Sequence, residues 1–368
     1  MASTRFGRRF VSALVIPVVG ALALASCSGG SDASKGTDSP KGYVEATSGE
    51  VNLYTWSDYY PADLIKKFKT DTGITLNVDY YDSNENLEAK LRASNGAGYD
   101  VVVPTDYMVK ILADSNLLLP FDAKSLPNGV NIKDSFFDVY FDQGRKYTIP
   151  YLYGTNSIMY DSAVITEKID SWADYFNPPA SAGKVGIQND QVEAVNAALR
   201  ATGAQPCTKD GAQLQAAQDL LKSFKSRVST INSDGILERL ATGEEKMAMI
   251  YSGAAYRAAL ERPSLKYVYP KEGVNLWQDN FAIPVGAKNV DQAKTFLNWM
   301  LKPENMAVAV NFQGYASGVK GTDELMKPEL ASSPAIVIPP GYDLAKPVPP
   351  CDNEATANYS KIFETFKG

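Results

Sequence analysis

Residues 51–81, VNLYTWSDYYPADLIKKFKTDTGITLNVDYY, predict a strand, a helix and a second strand. The first strand covers Val51 to Thr55. Pro61 suits the first turn of the helix, where a backbone donor is not needed, and Gly73 suits its end. Leu64, Ile65 and Phe68 form the apolar face of the helix. The second strand alternates, with Ile74, Leu76, Val78 and Tyr80 on one side. Two strands joined through one helix predict a parallel pair.

The same alternation continues along the chain and predicts an α/β fold. Further strands are predicted over 99–104, 184–188 and 246–251, and further helices over 85–93, 191–201, 211–224 and 292–301. Another helix, after the strand 99–104, carries Met108, Ile111 and Leu112. Trp172 and Trp299 lie on helical patterns among apolar neighbours and are assigned to the core. Strands separated by helices predict a mostly parallel sheet with helices on both faces. The folded part, roughly 49–368, is long for one core and predicts two lobes.

The first 26 residues have the order of a secretion signal. Arginines at 5, 8 and 9 precede an apolar run over 11–24, and small residues follow it. Leu24-Ala25-Ser26 directly before Cys27 resembles the lipobox of bacterial lipoproteins, which implies acylation of Cys27; the alternative is a plain signal peptide with an incidental cysteine. We leave the export route open between the general and the twin-arginine pathways. Residues 27–48 are rich in small and polar groups and predict a flexible tether.

Composition narrows the functional class. The full chain carries a formal charge of −6, and residues 1–26 hold three arginines and no acids, so the exported chain carries about −9. Such a chain is a poor partner for nucleic acid and a reasonable one for a cationic ligand. Histidine is absent, which excludes Ser-His-Asp and Cys-His catalysis and histidine-based metal sites. We predict no cofactor and no resident metal.

Two cysteines remain besides Cys27. In an oxidising compartment the pair Cys207 and Cys351 favours one disulfide, although two separate buried thiols are the alternative. Because no Cys-x-x-Cys motif is present, such a bridge would stabilise the fold and not transfer electrons.

The loops that follow predicted strands are rich in aromatic and acidic residues. Ligands of open α/β sheets lie beyond the carboxyl ends of strands. These loops contain Trp56-Ser57-Asp58-Tyr59-Tyr60, Thr105-Asp106-Tyr107, Asp190-Gln191-Val192-Glu193, Asn232-Ser233-Asp234, Tyr251-Ser252-Gly253, Trp277-Gln278-Asp279 and Gly314-Tyr315. Carboxylates form charge-assisted hydrogen bonds to ammonium groups, and aromatic faces attract cations and line methylenes. The mixture predicts a site for a ligand with several ammonium groups on an apolar chain.

Each of these features also has a purely structural reading. Asp190-x-x-Glu193 at a helix start is a capping box, although Asp190 can both cap and bind. Trp56 and Trp277 can be core aromatics. The pairs Tyr59-Tyr60 and Tyr80-Tyr81 can be strand-edge tyrosines, and Asp58 and Asp106 can be turn or capping residues.

Several segments together resemble the periplasmic spermidine/putrescine-binding proteins of polyamine ABC transporters, over essentially all of residues 50–368. The segments are LYTWSDYYP (53–61), GYDVVVPTDY (98–107), IPYLYGT (149–155), SWAD (171–174), NSD (232–234), MIYSG (249–253), PKEG (270–273) and WQD (277–279). The resemblance implies a two-lobed type II periplasmic-binding-protein clamp, each lobe a mixed, mostly parallel sheet flanked by helices. It also implies a polyamine in the interlobe cleft, delivery to an ABC permease, and no enzymatic activity.

The resemblance further implies which segments form each lobe and which residues bind. Lobe 1 would comprise 49–154 and 279–325, and lobe 2 would comprise 155–278 and 326–368. The implied binding residues are Trp56, Ser57, Asp58, Tyr59, Thr105, Tyr107, Asp190, Glu193, Ser233, Tyr251, Trp277, Asp279 and Tyr315, with Thr105 the weaker candidate. We expect a monomer on the outer face of the membrane, held there by the lipid on Cys27 and without nucleic acid.

Two departures from the family pattern concern the choice of polyamine. Tyr251 stands where spermidine-binding relatives tend to have tryptophan, and Cys351 falls near a ligand-contacting glutamine of the relatives. Two other classes stay open: a binding protein for ferric ion or an oligosaccharide, and an anchored hydrolase with paired carboxylates such as a glycosidase.

Overall fold

The computed structural model describes residues 42–57 and 59–368, and every structural statement below refers to these two ranges. The predicted signal peptide, Cys27, most of the predicted tether and Asp58 lie outside the described residues. The described residues belong to one compact unit, Pro40–Gly368. None of their helices is long and apolar enough to cross a membrane.

Strands and helices alternate through most of the described chain. The strands are β1 Glu50–Trp56, β2 Thr75–Tyr81, β3 Val101–Val102, β4 Asp138–Val139, β5 Asp142–Gln143, β6 Thr148–Asp161, β7 Val185–Ile187, β8 Val228–Ile231, β9 Met247–Tyr251, β10 Leu265–Val268, β11 Val274–Ala282, β12 Ala316–Ser317 and β13 Ala345–Lys346. The helices are α1 Ala62–Thr72, α2 Asn84–Ser94, α3 Asp106–Asp114, α4 Trp172–Phe176, α5 Gln191–Ala201, α6 Gly211–Phe224, α7 Ile236–Thr242, α8 Ser252–Glu261, α9 Val290–Met300, α10 Pro303–Gln313, α11 Pro328–Ala331 and α12 Asn353–Lys367.

The first strand, helix and strand fold as their sequence predicts. Helix α1 follows Pro61 and ends at Gly73, whose φ of 74° is left-handed and whose N–H bonds to the Lys69 carbonyl. Leu64 and Phe68 are buried on its inner face. Strands β1 and β2 are parallel neighbours, so the predicted parallel unit is confirmed.

The predicted strand over 99–104 is shorter in the structure. Only Val101 and Val102 pair as β3. The Val103 carbonyl instead accepts hydrogen bonds from the Trp56 indole N–H at 3.0 Å and from the Tyr81 hydroxyl. Pro104 has no N–H to donate, so the strand cannot continue. Between β3 and α3, the side chains of Trp56 and Tyr81 thus supply the hydrogen bonds that a neighbouring strand's backbone would otherwise donate to Val103.

One mixed sheet runs through the molecule in the order β2-β1-β3-β11-β6-β9-β7-β8. Strand β1 is parallel to β2 and β3 at one end, and β7 is parallel to β8 and β9 at the other. The central strands β11 and β6 are antiparallel to each other and to their outer neighbours β3 and β9. The prediction from strand and helix alternation therefore holds for the two ends and fails for the middle. The direction of β6 and β11 depends on partners far away in the chain.

Three hydrophobic clusters fill the space around this sheet. The largest surrounds β1, α1, α9 and α10 and also includes residues of α7 and α8. The second packs α4, α5, α6 and α12 around β7, and the third packs α2 and α3. Trp172 and Trp299 are buried, at 2% and 3% exposure. Because the largest cluster crosses the predicted lobe boundaries, the division into lobes stays a prediction.

A disulfide joins Cys207 to Cys351 across 144 residues of sequence, with Cα atoms 5.1 Å apart. The Cys207 N–H donates to the Tyr359 hydroxyl at 2.7 Å, and that hydroxyl donates to Asn196 Oδ1 at 2.6 Å. The bridge therefore ties the loop after α5 to the segment that leads into α12. A cross-link that closes so long a loop restricts the unfolded chain.

We expect Cys207→Ser, or reduction of the wild type, to lower the free energy of unfolding by about 2–5 kcal/mol. The reason is the loss of the long-range restraint on the unfolded chain. Urea denaturation with and without reductant measures the change, and reductant should leave the curve of the variant unmoved. Equal stability of oxidised and reduced wild type would contradict a stabilising role for the bridge.

Candidate ligand-binding cleft

One cleft of about 680 Å³ contains the predicted binding residues that the structure describes. Twelve of the thirteen line it, and Asp58 lies outside the described residues. The twelve are Trp56, Ser57, Tyr59, Thr105, Tyr107, Asp190, Glu193, Ser233, Tyr251, Trp277, Asp279 and Tyr315. The fold therefore collects side chains from widely separated loops, and their role in binding stays a prediction.

Strand ends and a bulge aim these side chains into the cleft. Trp56 ends β1, Tyr251 ends β9, and Asp190 follows β7, as expected for ligands beyond the carboxyl ends of strands. Asp279 lies within β11, where the register against β6 shifts between Gln278 and Asn280. A bulge bends a strand and re-aims its side chains, which places Asp279 beside the start of α3.

Asp279 is a buried carboxylate held by two hydroxyls. The Tyr59 hydroxyl donates to Oδ2 at 2.6 Å and the Thr105 hydroxyl donates to Oδ1 at 2.8 Å. Its side chain is 3% exposed. Burial raises the pKa of Asp279 to about 7, and the two hydroxyl hydrogen bonds offset only part of that rise.

Aromatic rings stand edge to face along the cleft. The Trp277 ring lies 4.8 Å from Tyr315 at 83° and 6.0 Å from Tyr251 at 87°. Two glycines make room for them. A Cβ at Gly154 would come within 2.7 Å of the Trp277 ring, and one at Gly253 within 2.6 Å of the Tyr315 ring. Any larger residue at either position would push the aromatic wall into the cleft.

Asp190 caps α5 and also faces the cleft, and its role in binding stays a prediction. Its Oδ1 caps α5 by accepting from the backbone N–H groups of Val192 and Glu193 at 2.9 and 3.0 Å. Its Oδ2 accepts from the Tyr251 hydroxyl at 3.0 Å on the cleft side. The cap fixes the carboxylate and leaves one oxygen facing the aromatic wall.

Glu193 lies one turn after Asp190, on α5, and the two carboxyl groups are close enough to interact. Its Oε2 accepts from Asn275 Nδ2 at 2.7 Å. Burial raises the pKa of Glu193 to about 8, and the charge of Asp190 adds to the rise. Arg200 reaches the Asn275 Oδ1 at 2.6 Å, so an amide lies between the guanidinium and Glu193. The glutamate consequently has no cation paired directly with it.

The remaining predicted residues are Ser57 and Ser233, at the exposed rim of the cleft, and Tyr107, which lines it. Ser57 and Ser233 are exposed, and Ser233 Oγ accepts from the Asn189 N–H at 3.1 Å. The Tyr107 hydroxyl accepts from Asn84 at 3.1 Å and donates to Glu85 at 3.2 Å.

Sequence reasoning missed the contribution of the loop after β2. Asn84 donates to the Thr105 hydroxyl at 3.1 Å as well as to Tyr107, and so joins both predicted residues. The same rule that selected the loops after β1 and β3 would have selected Asn84-Glu85, because β2 ends at Tyr81 next to them. Asp106, for which the sequence also allows a turn or capping role, lines the cleft as well.

The cleft carries an excess of negative charge. Seven carboxylates and two basic side chains line it. The acids are Asp82, Glu85, Asp106, Asp190, Glu193, Asp234 and Asp279, and the bases are Arg257 and Lys367. None of the seven forms a salt bridge with a described lysine or arginine (Lys367 pairs with Glu364). A concave, partly buried surface of this kind attracts cations.

A mixed α/β fold around an acidic, aromatic cleft defines an extracellular solute-binding protein of the periplasmic-binding-protein class. The chain belongs to the bacterial extracellular solute-binding protein family, whose model matches residues 63–337. The spermidine/putrescine-binding periplasmic protein 1 of Haemophilus influenzae is 33% identical over 306 residues, which cover 82% of this chain and 83% of that protein.

Solved structures agree with this family. One from Listeria monocytogenes, assigned to spermidine/putrescine ABC transport, superposes with a TM-score of 0.80 at 33% identity and covers 86% of this chain and 98% of its own. A lipoprotein of Treponema pallidum gives a TM-score of 0.76 at 27% identity, covering 86% and 99%. The predicted resemblance and fold class are confirmed. The family consists of binding proteins and not enzymes, which removes the hydrolase alternative.

We expect the ligand-free protein to lose stability as the pH rises from about 4 to 7. Asp279 ionises near 3.8 when unfolded and near 7 when folded, so the unfolded chain releases this proton first as pH rises. The loss from this group is on the order of a few kcal/mol. Denaturant unfolding at several pH values measures it, and Asp279→Asn should reduce the slope, while the part due to Glu193, whose pKa is also raised, should remain. Asp114→Asn, at an exposed acid of α3, is the control and should leave the slope unchanged.

Proposed function

We propose that this protein captures a polyamine, such as spermidine or putrescine, in the cleft and delivers it to an ABC transporter permease. The observation that carries the proposal is a set of buried carboxylates without cationic partners between aromatic faces. Relatives with about one third identical residues are named for spermidine and putrescine binding. Asp190, Glu193 and Asp279 would accept ammonium hydrogens, with Asp58 a fourth acceptor predicted from sequence alone.

The chemistry of a polyamine suits both features of the cleft. Each ammonium forms charge-assisted hydrogen bonds with a carboxylate and removes the cost of leaving that charge buried and unpaired. The methylene segments lie against Trp56, Trp277 and Tyr315, where each cation–π contact contributes roughly 0.5–2 kcal/mol. A monoamine fills one carboxylate and leaves the others uncompensated, so we expect it to bind weakly.

Ligand capture would close two lobes around the cleft. The lobes proposed are 49–154 with 279–325, and 155–278 with 326–368. Asp279 and Tyr59 then belong to one lobe, and Asp190 and Glu193 to the other. A ligand that contacts both sets favours the closed state by its differential affinity.

A ferric site is less consistent with these side chains. Tyrosine binds ferric ion as a phenolate. In the ligand-free protein, burial and adjacent carboxylates hold the pKa values of Tyr59 and Tyr251 well above their usual range, so a ferric ion would have to displace both protons. A sugar site would use the aromatic faces but would leave buried carboxylates without a cation. The side chains of the cleft therefore suit a polyamine better than a ferric ion or a sugar.

We expect isothermal titration calorimetry of the purified full chain to give one-to-one binding of at least one polyamine. Putrescine, cadaverine, spermidine and spermine are the ligands, and a primary monoamine and maltose are the controls. Asp279→Asn should weaken the polyamine by about 2–5 kcal/mol, or roughly thirtyfold or more, because it leaves an ammonium facing an amide. Unchanged affinity would remove Asp279 from the site. Absence of heat with all four polyamines would overturn the proposed function.

The same proposal includes a lipid anchor on Cys27 after removal of residues 1–26. The order of charges, apolar residues and small residues before Cys27 supports it, and a lipoprotein is among the structurally similar proteins. The folded part would then act as a monomer on the outer face of the membrane, tethered by residues 27–48.

We expect Cys27→Ser to move the protein from the membrane fraction to the soluble or secreted fraction. The variant lacks the thiol that would be acylated. After residues 11–24, its sequence contains no second apolar run long enough to hold the chain in a membrane. Fractionation with immunoblotting, together with the mass of the N-terminal peptide, measures the change. Retention in the membrane fraction of a Cys27→Ser chain that has lost residues 1–26 would contradict the anchor, and Ser28→Ala, which keeps the Cys27 thiol, is the control.

A further inference from the structure

Asp106, the first residue of α3, is a buried carboxylate with one unused oxygen. It lines the cleft and is 3% exposed. Its Oδ1 accepts from the Tyr107 N–H at 2.7 Å. Its Oδ2 is buried and has no hydrogen-bond partner among the described residues.

Helix capping does not account for this burial. The N-cap residue of α3 is Thr105, not Asp106. Asp210 and Asp352, which cap α6 and α12 through their side chains, are both exposed to solvent. An aspartate that serves only as a cap keeps its second oxygen in water, where the charge costs little. Asp106 has lost that water without gaining a partner.

The surroundings of Asp106 contain further negative charge. Asp279 faces it from β11 and Glu193 faces it from α5, and the backbone N–H of Gln278 is its other polar neighbour. Burial raises the pKa of Asp106 well above its usual range, and both carboxylates raise it further. No described lysine or arginine forms a salt bridge with Asp106, so its carboxyl lines the cleft without a cation from the described residues.

We propose that Asp106 binds one ammonium group of the ligand, while Asp279 and the pair Asp190 and Glu193 bind others. This inference rests on the proposed function. The cleft would thereby favour polyamines with three or more ammonium groups over diamines. The carboxyl groups of Asp106, Asp190, Glu193 and Asp279 all line the cleft, and a diamine has only two ammonium groups to pair with them, which supports this preference. Asp106 is in this sense a residue that determines specificity.

Titration of spermidine, a triamine, and putrescine, a diamine, into the full chain tests the proposal. We expect the wild type to bind spermidine at least about tenfold more tightly than putrescine. Asp106→Asn should weaken spermidine at least about tenfold and putrescine less than about threefold, since only the triamine uses the third carboxylate. The control is Asp114→Asn, which removes the same charge from the exposed end of α3 and should change neither constant.

The ratio of the two dissociation constants distinguishes this role from a structural one. A purely structural Asp106 predicts that Asp106→Asn weakens both ligands equally or neither, and either result overturns the proposal. A thermal melt confirms that the variant is folded; if it is not, Asp106→Ser, which keeps an oxygen for the Tyr107 N–H, replaces it. A wild type that binds putrescine as tightly as spermidine overturns the inference alone. Absence of binding to any polyamine overturns the proposed function itself.

Discussion

A carboxylate buried without a cation is the constraint around which the cleft is arranged. Asp279 is 3% exposed, and among the described residues the hydroxyls of Tyr59 and Thr105 donate hydrogen bonds to its carboxylate. Hydroxyl hydrogen bonds offset part of the cost of desolvation and leave the pKa near 7. Burial raises the pKa values of Glu193 and Asp106 in the same way. A site of this kind is destabilising when empty and is stabilised by a multivalent cation, so affinity and ligand-free stability oppose each other.

The two central strands make this arrangement possible. Strands β6 and β11 run antiparallel through the middle of a sheet whose ends are parallel, and the bulge in β11 falls at Asp279. The same strands carry Gly154 and Trp277, so the carboxylate and the aromatic wall are positioned by one pair of strands. Any movement between the two proposed lobes has to bend these strands, which connects ligand contacts to the closure that we propose.

Local chemistry made much of this molecule predictable. Helices α5 and α6 begin and end at the predicted residues, because each starts at an aspartate that caps it. The loops after β1, β7 and β8 contain cleft residues because parallel strands point their carboxyl ends in one direction. The same expectation was wrong for Trp277 and Asp279, which lie within β11, and for Tyr315, which follows α10. The resemblance in WQD and its companion segments supplied the family. What these patterns could not supply was the direction of β6, which has both faces buried and lacks the alternation that reveals a strand's neighbours.

The sequence by itself therefore determined about half of the described helices, five of the thirteen described strands, the acidic and aromatic character of the site and its membership in a family of solute-binding proteins. Caps, periodicity and composition act over a few residues and can be read along the chain. Only the tertiary structure decided that Asp106 has lost its water, that Asp190 both caps and faces the cleft, and that Asn84 joins Thr105 to Tyr107. Burial and pairing depend on residues brought together from distant segments, and desolvation is a property of that assembled environment.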